Sequence, residues 1–325
     1  MMDRAARAKL AKETIDNFVP HILKLDTRAQ EGVEQSELIR YLAVSDKKST
    51  RTTSGDLNTT LALDQAETEK DKEARDNNLN GEQFVASTKK SNQLSDVAAS
   101  AQTTPKIRVI KSDTFDAVQA VLEANPKSRI AALNMASTLQ PGGGVLRGAR
   151  AQEEALCMRS TLFLSLDPRF YELPTLAGIY SPDVLVFRGS DLQDMPKAKW
   201  FYTNVISVAA LKWPDVKATK QGKEVFAEEG DLEVTTNKIR LIFQIAKTKG
   251  ITHLVLGALG CGAYRNPPGE VAKIFREVVL GGRGREGVSG IDEVIFAIFD
   301  EGENLTSFRN VFENFMAEQG VVSPR

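Results

Sequence analysis

Cysteine and histidine are nearly missing from this chain. Its 325 residues include two of each: Cys157 and Cys261, His21 and His253. Two cysteines cannot form a disulfide framework, so an intracellular setting, cytoplasmic or nuclear, is expected. With so few ligands and no familiar spacing among them, no metal site is expected either. A nucleophilic thiol at Cys261 would need His21 or His253 as its base. His253 opens an apolar run whose far end carries Cys261, which puts the two at opposite edges of a sheet. A thiol mechanism is set aside on that ground.

Other absences narrow the class further. No apolar run approaches the roughly 18 residues of a membrane span. The first stretch, "MMDRAARAKLAKETIDNF", is amphipathic, but Asp3 and Glu13 argue against a transit peptide and a secretory apolar core is missing. Net charge is −1 with no long basic run, so direct nucleic-acid binding is not expected. The phosphate-binding pattern G-x-x-x-x-G-K-[ST] does not occur, and "GCGAYR" places Arg265 where a dinucleotide fingerprint needs its third glycine. These gaps exclude a P-loop ATPase and a simple dehydrogenase.

What is present is ordinary in amount and uneven in distribution. Hydrophobic residues at 42% and charged residues at 26% fit a globular domain. Residues 1–44 carry helical spacing through Leu10, Ile15, Phe18, Ile22, Leu23 and Leu25, which predicts an N-terminal helical extension. Residues 45–104 turn to Ser, Thr, Asn, Lys, Asp and Gln with few large apolar side chains. Such a segment buries too little surface to offset the entropy of ordering it, so a disordered insert is expected there. From 105 to 320 apolar runs alternate with helical stretches. The predicted strands are 107–110, 129–133, 183–187, 200–208, 253–259 and 293–299; the predicted helices are 115–124, 152–164, 237–249, 269–280 and 305–317. Near-continuous apolar strands alternating with helices predict an α/β domain, a mixed or parallel sheet with helices on both faces.

Two loops in this domain are rich in glycine. The first follows the run "RIAALNMAS" and holds Gly142, Gly143 and Gly144; the second, "LGALGCGAYRNPP", follows another apolar run. Ligands of open α/β sheets bind at the carboxyl ends of strands, where such loops expose backbone N–H groups. Two loops of this kind could wrap a diphosphate with amide dipoles instead of lysines. Either alone reads equally as a tight turn. Gln152, Glu153 and Glu154 follow at a predicted helix start. Adjacent helical residues point about 100° apart, so the two carboxylates would reach different parts of one ligand. They would equally complement the helix dipole and do nothing more.

The stretch "PGGGVLRGARAQEEAL" has the form GGG, seven residues, QEE, and it resembles the signature of the bacterial and fungal type of poly(ADP-ribose) glycohydrolase, which is built on a macrodomain. "LNMAS" before it, "SPDVLVFR" after it and "LVLGALGCGAYRNPP" further on are similar to that family in the same order. The resemblance implies that Glu154 is the catalytic acid that protonates the leaving ribose oxygen and that Glu153 holds ribose hydroxyls. It implies substrate contacts from Gln152 and from Gly142, Gly143 and Gly144 around the ribose and diphosphate. Gly260, Cys261, Gly262 and Ala263 match the main diphosphate loop, and Tyr264 falls where a Phe packs on the terminal ribose. Asn134 matches an asparagine near the distal ribose, and Asp113 an aspartate that reads the adenine amino group. No cofactor is implied.

The chemistry fits these residue types. Breaking an O-glycosidic ribose–ribose bond passes through an oxocarbenium-like transition state with a carboxylic acid protonating the leaving oxygen. A diphosphate bound nearby, and the loss of water on binding, would favour the protonated form of that acid. The expected function is hydrolysis of poly(ADP-ribose) from the chain end, releasing ADP-ribose, with ADP-ribosylated proteins as partners and a monomeric enzyme. That activity would reverse ADP-ribosylation, as in a DNA damage response. The competing expectations are a macrodomain reader that binds ADP-ribose without turnover and a hydrolase of mono(ADP-ribose) on protein side chains.

Overall fold

Runs that are apolar at every position can be buried only in the interior of a sheet covered on both faces. In the computed structural model, which describes residues 2–43, 104–282 and 285–318, that is where they lie. The chain begins with α1 (Arg4–Glu13), a π-helical turn (Thr14–Phe18), α2 (Val19–Leu25), α3 (Thr27–Glu34) and β1 (Glu37–Arg40). After residues that are not described come β2 (Lys106–Ile110), α4 (Thr114–Ala124), β3 (Ile130–Met135), α5 (Gln152–Arg159), α6 (Leu162–Ser165), β4 (Ala177–Val186) and β5 (Phe201–Val208). A small hairpin, β6 (Val216–Ala218) and β7 (Glu224–Phe226), leads into α7 (Glu229–Thr248), β8 (His253–Leu256) and α8 (Pro268–Leu280). The short pair β9 (Gly281–Gly282) and β10 (Arg285–Glu286), β11 (Glu293–Ala297) and α9 (Glu303–Glu318) complete it. The insert expected at 45–104 lies, apart from Thr104, outside the described residues.

Seven strands form one mixed sheet in the order β1-β4-β5-β3-β8-β11-β2. The five from β5 to β2 run parallel, and β4 is antiparallel to both β5 and β1. Successive strand residues point to opposite faces, and the two cores divide accordingly. Leu133, Ile206, Leu254 and Phe296 pack with Ile242 of α7, Phe275 of α8 and Phe308 of α9. Their chain neighbours Ala132, Val205, Val255 and Ile295 pack on the other face with Phe115 and Val118 of α4 and Leu156 of α5. Truncating a fully buried phenylalanine such as Phe296 to alanine costs about 3–5 kcal/mol, so these layers hold the site in place.

Several elements depart from the sequence expectation. The strand expected over 253–259 ends at Leu256, and the hairpin of β6 and β7 is unexpected. Four further differences have a local cause. The helical reading of the first zone stops short: Glu37–Arg40 is an antiparallel edge strand on β4, with Leu38 opposite Ile179. The helix expected over 152–164 breaks at Ser160, whose backbone is extended and whose hydroxyl donates to Leu156 O at 2.8 Å. A serine that bonds a helical carbonyl in this way competes with the helix ladder. Strand β4 begins six residues earlier than expected, because Pro182 and a register shift between Ser181 and Val184 disguise one bulged strand as two segments. Helix α7 begins eight residues early: its opening turns, "EGDLEVTT", are polar and give no apolar spacing, but Glu229 and Asp231 suit a helix N-terminus.

Candidate active site

Strands β3 and β8 stop pairing at Ala132 and Val255, and the sheet opens beyond them. The two groups of β3 left facing the gap are satisfied by a side chain. Gln152 donates to Leu133 O at 2.6 Å and accepts from Met135 N at 2.8 Å, so its amide stands in for the missing strand. The cleft that results, about 850 Å3, is lined by Met135–Gln140, Gly143, Gly144, Gln152–Glu154, Gly260 and Gly262–Tyr264, with Arg147, Arg150 and Lys212. It lies at the carboxyl ends of the parallel strands, where both glycine loops converge. A smaller neighbouring cavity of about 420 Å3 is lined by Asp113, Gln152, Arg159, Gly262, Phe299 and Asn304 among others.

Both glutamates face this cleft although both are buried, at 3% and 6% exposure. Glu153 accepts from Ser137 N at 2.7 Å and lies 3.4 Å from the Asn134 amide nitrogen. Burial pushes its carboxyl up to about 8, and the charge of Glu154 acts in the same direction. The hydrogen bonds from Ser137, Asn134 and Gly142 oppose the shift without cancelling it. Glu154 is held differently: Oε1 accepts from Gly144 N at 2.8 Å, and the buried Oε2 has no partner. A carboxyl anchored at one oxygen can carry a proton on the other and deliver it to an atom in the cleft.

The first glycine loop makes this geometry possible. Gly142 and Gly143 have φ of 62° and 55°, the region that glycine enters freely. A Cβ at Gly143 would stand 2.9 Å from both Glu153 Oε2 and Glu154 Oε1. Glycine therefore lets the backbone lie against the two carboxylates at once. The turn that follows is tied to α1: Arg7 donates to Gly148 O at 2.8 Å and Arg4 to Arg147 O at 2.9 Å.

In the second loop Gly260 has φ of 75° and a virtual Cβ only 2.5 Å from Asn266 Nδ2, and Arg265, with φ of 56°, is its non-glycine residue in the left-handed region. Gly262 has no positive φ and nothing within 4 Å of its virtual Cβ. Cys261 turns its side chain towards the core on the side of α7 and α8, where burial raises its thiol. Tyr264 lines the cleft half-buried; burial, then Glu153, raises its phenol, whose hydroxyl meets Ser137 and the Thr138 backbone.

The structure thus brings Gly143, Gly144, Gln152, Glu153, Glu154, Gly260, Gly262, Ala263 and Tyr264 around one space, while Gly142 backs onto the Phe163 ring and does not line it. Asn134 is fully buried beneath it, donating to Ser207 Oγ at 3.0 Å. Asp113 borders the smaller cavity, where its Oδ1 caps α4 through Phe115 N and pairs with Arg159 at 2.6 Å. Sequence reasoning missed Ser137, whose contribution is a backbone N–H, and Asn266. The latter is buried and donates to Leu211 O at 2.7 Å, tying the second loop to the one after β5. Its place inside the quoted "AYRNPP" was the available signal. His253, at the start of β8, is at the opposite end of the strands and bonds Thr252. Among the described residues no helix is long and apolar enough to cross a membrane, and no cluster of three or more His, Cys, Asp or Glu is placed to hold a metal.

The family model and the solved structures agree with one another. The family model "Microbial-type PARG, catalytic domain" matches residues 58–189. A crystal structure of poly(ADP-ribose) glycohydrolase (PARG) from Deinococcus radiodurans in complex with ADP-ribose is 32% identical, over 65% of this chain and 85% of that one, with a TM-score of 0.53. The enzyme of the same name from Thermomonospora curvata is 22% identical, over 95% and 100% of the two chains, with a TM-score of 0.63. At that identity it shows the shared macrodomain-like fold alone. No curated protein matches the chain.

Proposed function

The chain belongs to the microbial-type poly(ADP-ribose) glycohydrolase family, and we propose from that premise that it binds ADP-ribose and hydrolyses the ribose–ribose O-glycosidic bonds of poly(ADP-ribose) with Glu154 as general acid. The observation that carries the assignment is the unequal treatment of the two Glu154 oxygens. Oε1 is pinned by Gly144 N, while the buried Oε2 has no protein partner and belongs to a side chain that lines the cleft. Protonated there, it gives its proton to the departing ribose oxygen as the oxocarbenium-like transition state develops.

The other residues hold the terminal unit. The second loop, Gly260–Ala263, receives the diphosphate through backbone N–H groups, and the first loop closes over the ribose. Glu153, beside it, binds ribose hydroxyls. Its raised affinity for a proton suits that role, because a neutral carboxyl both donates and accepts hydrogen bonds. The smaller cavity with Phe299 and Asp113 takes the nucleoside end. Attack from the chain end, ADP-ribosylated proteins as partners and a monomeric, intracellular enzyme belong to the same proposal. The test is incubation with automodified poly(ADP-ribose) and identification of the released products. Free ADP-ribose supports the reading, and an intact polymer at stoichiometric enzyme rejects it.

A further inference from the structure

Trp213 belongs to no motif and to no regular element, yet it has one of the least favourable backbone conformations in the structure. Its φ is 55°, a region that a bulky L side chain enters only where its surroundings hold it there. Pro214 follows, and a proline favours an extended backbone in the residue before it, which makes the conformation harder still. Burial does not explain it, since the side chain is 61% exposed.

Its hydrogen bonds do. The main-chain N–H of Trp213 donates to Tyr264 O at 2.9 Å, and the indole Nε1–H donates to Ala263 O at 2.9 Å. Both acceptors belong to the second glycine loop. A peptide unit is planar, so fixing these two carbonyls also fixes the N–H groups of Tyr264 and Arg265 and the direction of the Tyr264 Cα. The neighbouring Lys212 lines the cleft and holds its ammonium 4.5 Å from the centre of the indole ring.

We infer that Trp213 is a positioning residue: it clamps Ala263 and Tyr264 from outside and pre-shapes the loop that receives the diphosphate and the terminal ribose. The inference rests on the proposed function of that loop. Strain at Trp213 is then the cost of holding a ligand-free loop in its ligand-binding shape, which lowers the ordering cost of binding.

Trp213→Gly and Trp213→Phe separate this role from a structural one. Glycine accepts the positive φ but has no indole; phenylalanine keeps an aromatic plane without the N–H donor. The measurements are melting temperature, ADP-ribose affinity by calorimetry, and kcat and KM on polymer, each beside the wild-type protein. The expected result is an unchanged melting temperature for Trp213→Phe and an unchanged or higher one for Trp213→Gly. Kd and KM should rise about fivefold or more in both variants, the scale of one lost hydrogen bond. Wild-type affinity in either folded variant overturns the inference. A fall of melting temperature in Trp213→Phe by about 5 °C or more also overturns it, because the residue would then serve the fold. If Trp213→Gly does not fold, Trp213→Phe decides alone. Wild-type protein that fails to bind ADP-ribose rejects the parent reading, and this inference with it.

Discussion

The backbone N–H of Gly144 donates to Oε1 of Glu154 at 2.8 Å, joining the third glycine of the first loop to the second glutamate of the helix that follows. The contact joins the GGG and QEE stretches across the seven residues that separate them in this chain. The turn between them must bring the glycine backbone back onto the helix start, and α1 holds that turn through Arg7 and Gly148. With one carboxyl oxygen anchored, the other is left buried and without a partner.

Replacing Glu154 by glutamine keeps the shape and the Gly144 contact but removes the transferable proton. Glu154→Gln should bind ADP-ribose within about tenfold of wild type and lose at least ~10² in turnover, the usual scale of positioned acid catalysis. Calorimetry and product release from polymer check the two halves. Near-normal cleavage would take Glu154 out of the mechanism.

Glu153 predicts a pH dependence of stability. Its carboxyl is pushed from 4.5 to about 8 in the folded protein, so between those values the native state holds a proton that the unfolded chain has released. That contribution is fully present below pH 4.5 and is lost as pH rises through 8. The melting temperature should therefore decline from pH 5 to 9. Glu153→Gln, which cannot ionise, should show a shallower decline; identical slopes would mean that Glu153 is not the group responsible.

The two glycines of the second loop should respond differently to a side chain. Gly262→Val meets nothing in the protein, so circular dichroism should remain native while ADP-ribose binding is lost. Gly260→Ala forces a Cβ onto Asn266 Nδ2 at a φ of 75°, so it should lower the melting temperature as well. Retained affinity in Gly262→Val would place the diphosphate elsewhere.

Tyr264 bears on the direction of attack. Pro267 and Pro268, the latter the first residue of α8, limit the path of the chain just past it, and Trp213 holds its carbonyl. With the ring on the terminal ribose, little room remains for a further unit, so ADP-ribose monomer should appear from the first time points on long chains. Tyr264→Ala should lower kcat more than affinity, because it loosens the ribose and leaves the backbone of the diphosphate loop in place. Abundant long free oligomers at early times would mean an open site.

By itself the sequence determined the sheet interior and most of the residues around the cleft. Apolar runs announce buried strands wherever they end up, and the first loop with its two glutamates lies within one short stretch, so local spacing brings them together, while α1 steadies the turn between them. Gln152 and Asp113 were legible as members of the neighbourhood, but their partners were not. Gln152 is occupied with Leu133 and Met135 because β8 leaves β3 there, and Asp113 with Arg159 because α4 lies beside α5. The raised proton affinity of Glu153 depends on how completely the cleft walls exclude water. Trp213 and Ala263 are 50 residues apart, and nothing in either stretch names the other. They meet because β5 and β8 flank β3 in the parallel part of one sheet, bringing the loops after them to the same edge. Hydrogen-bond partners and burial follow from which strands are neighbours, and strand order is decided by the packing of the whole chain.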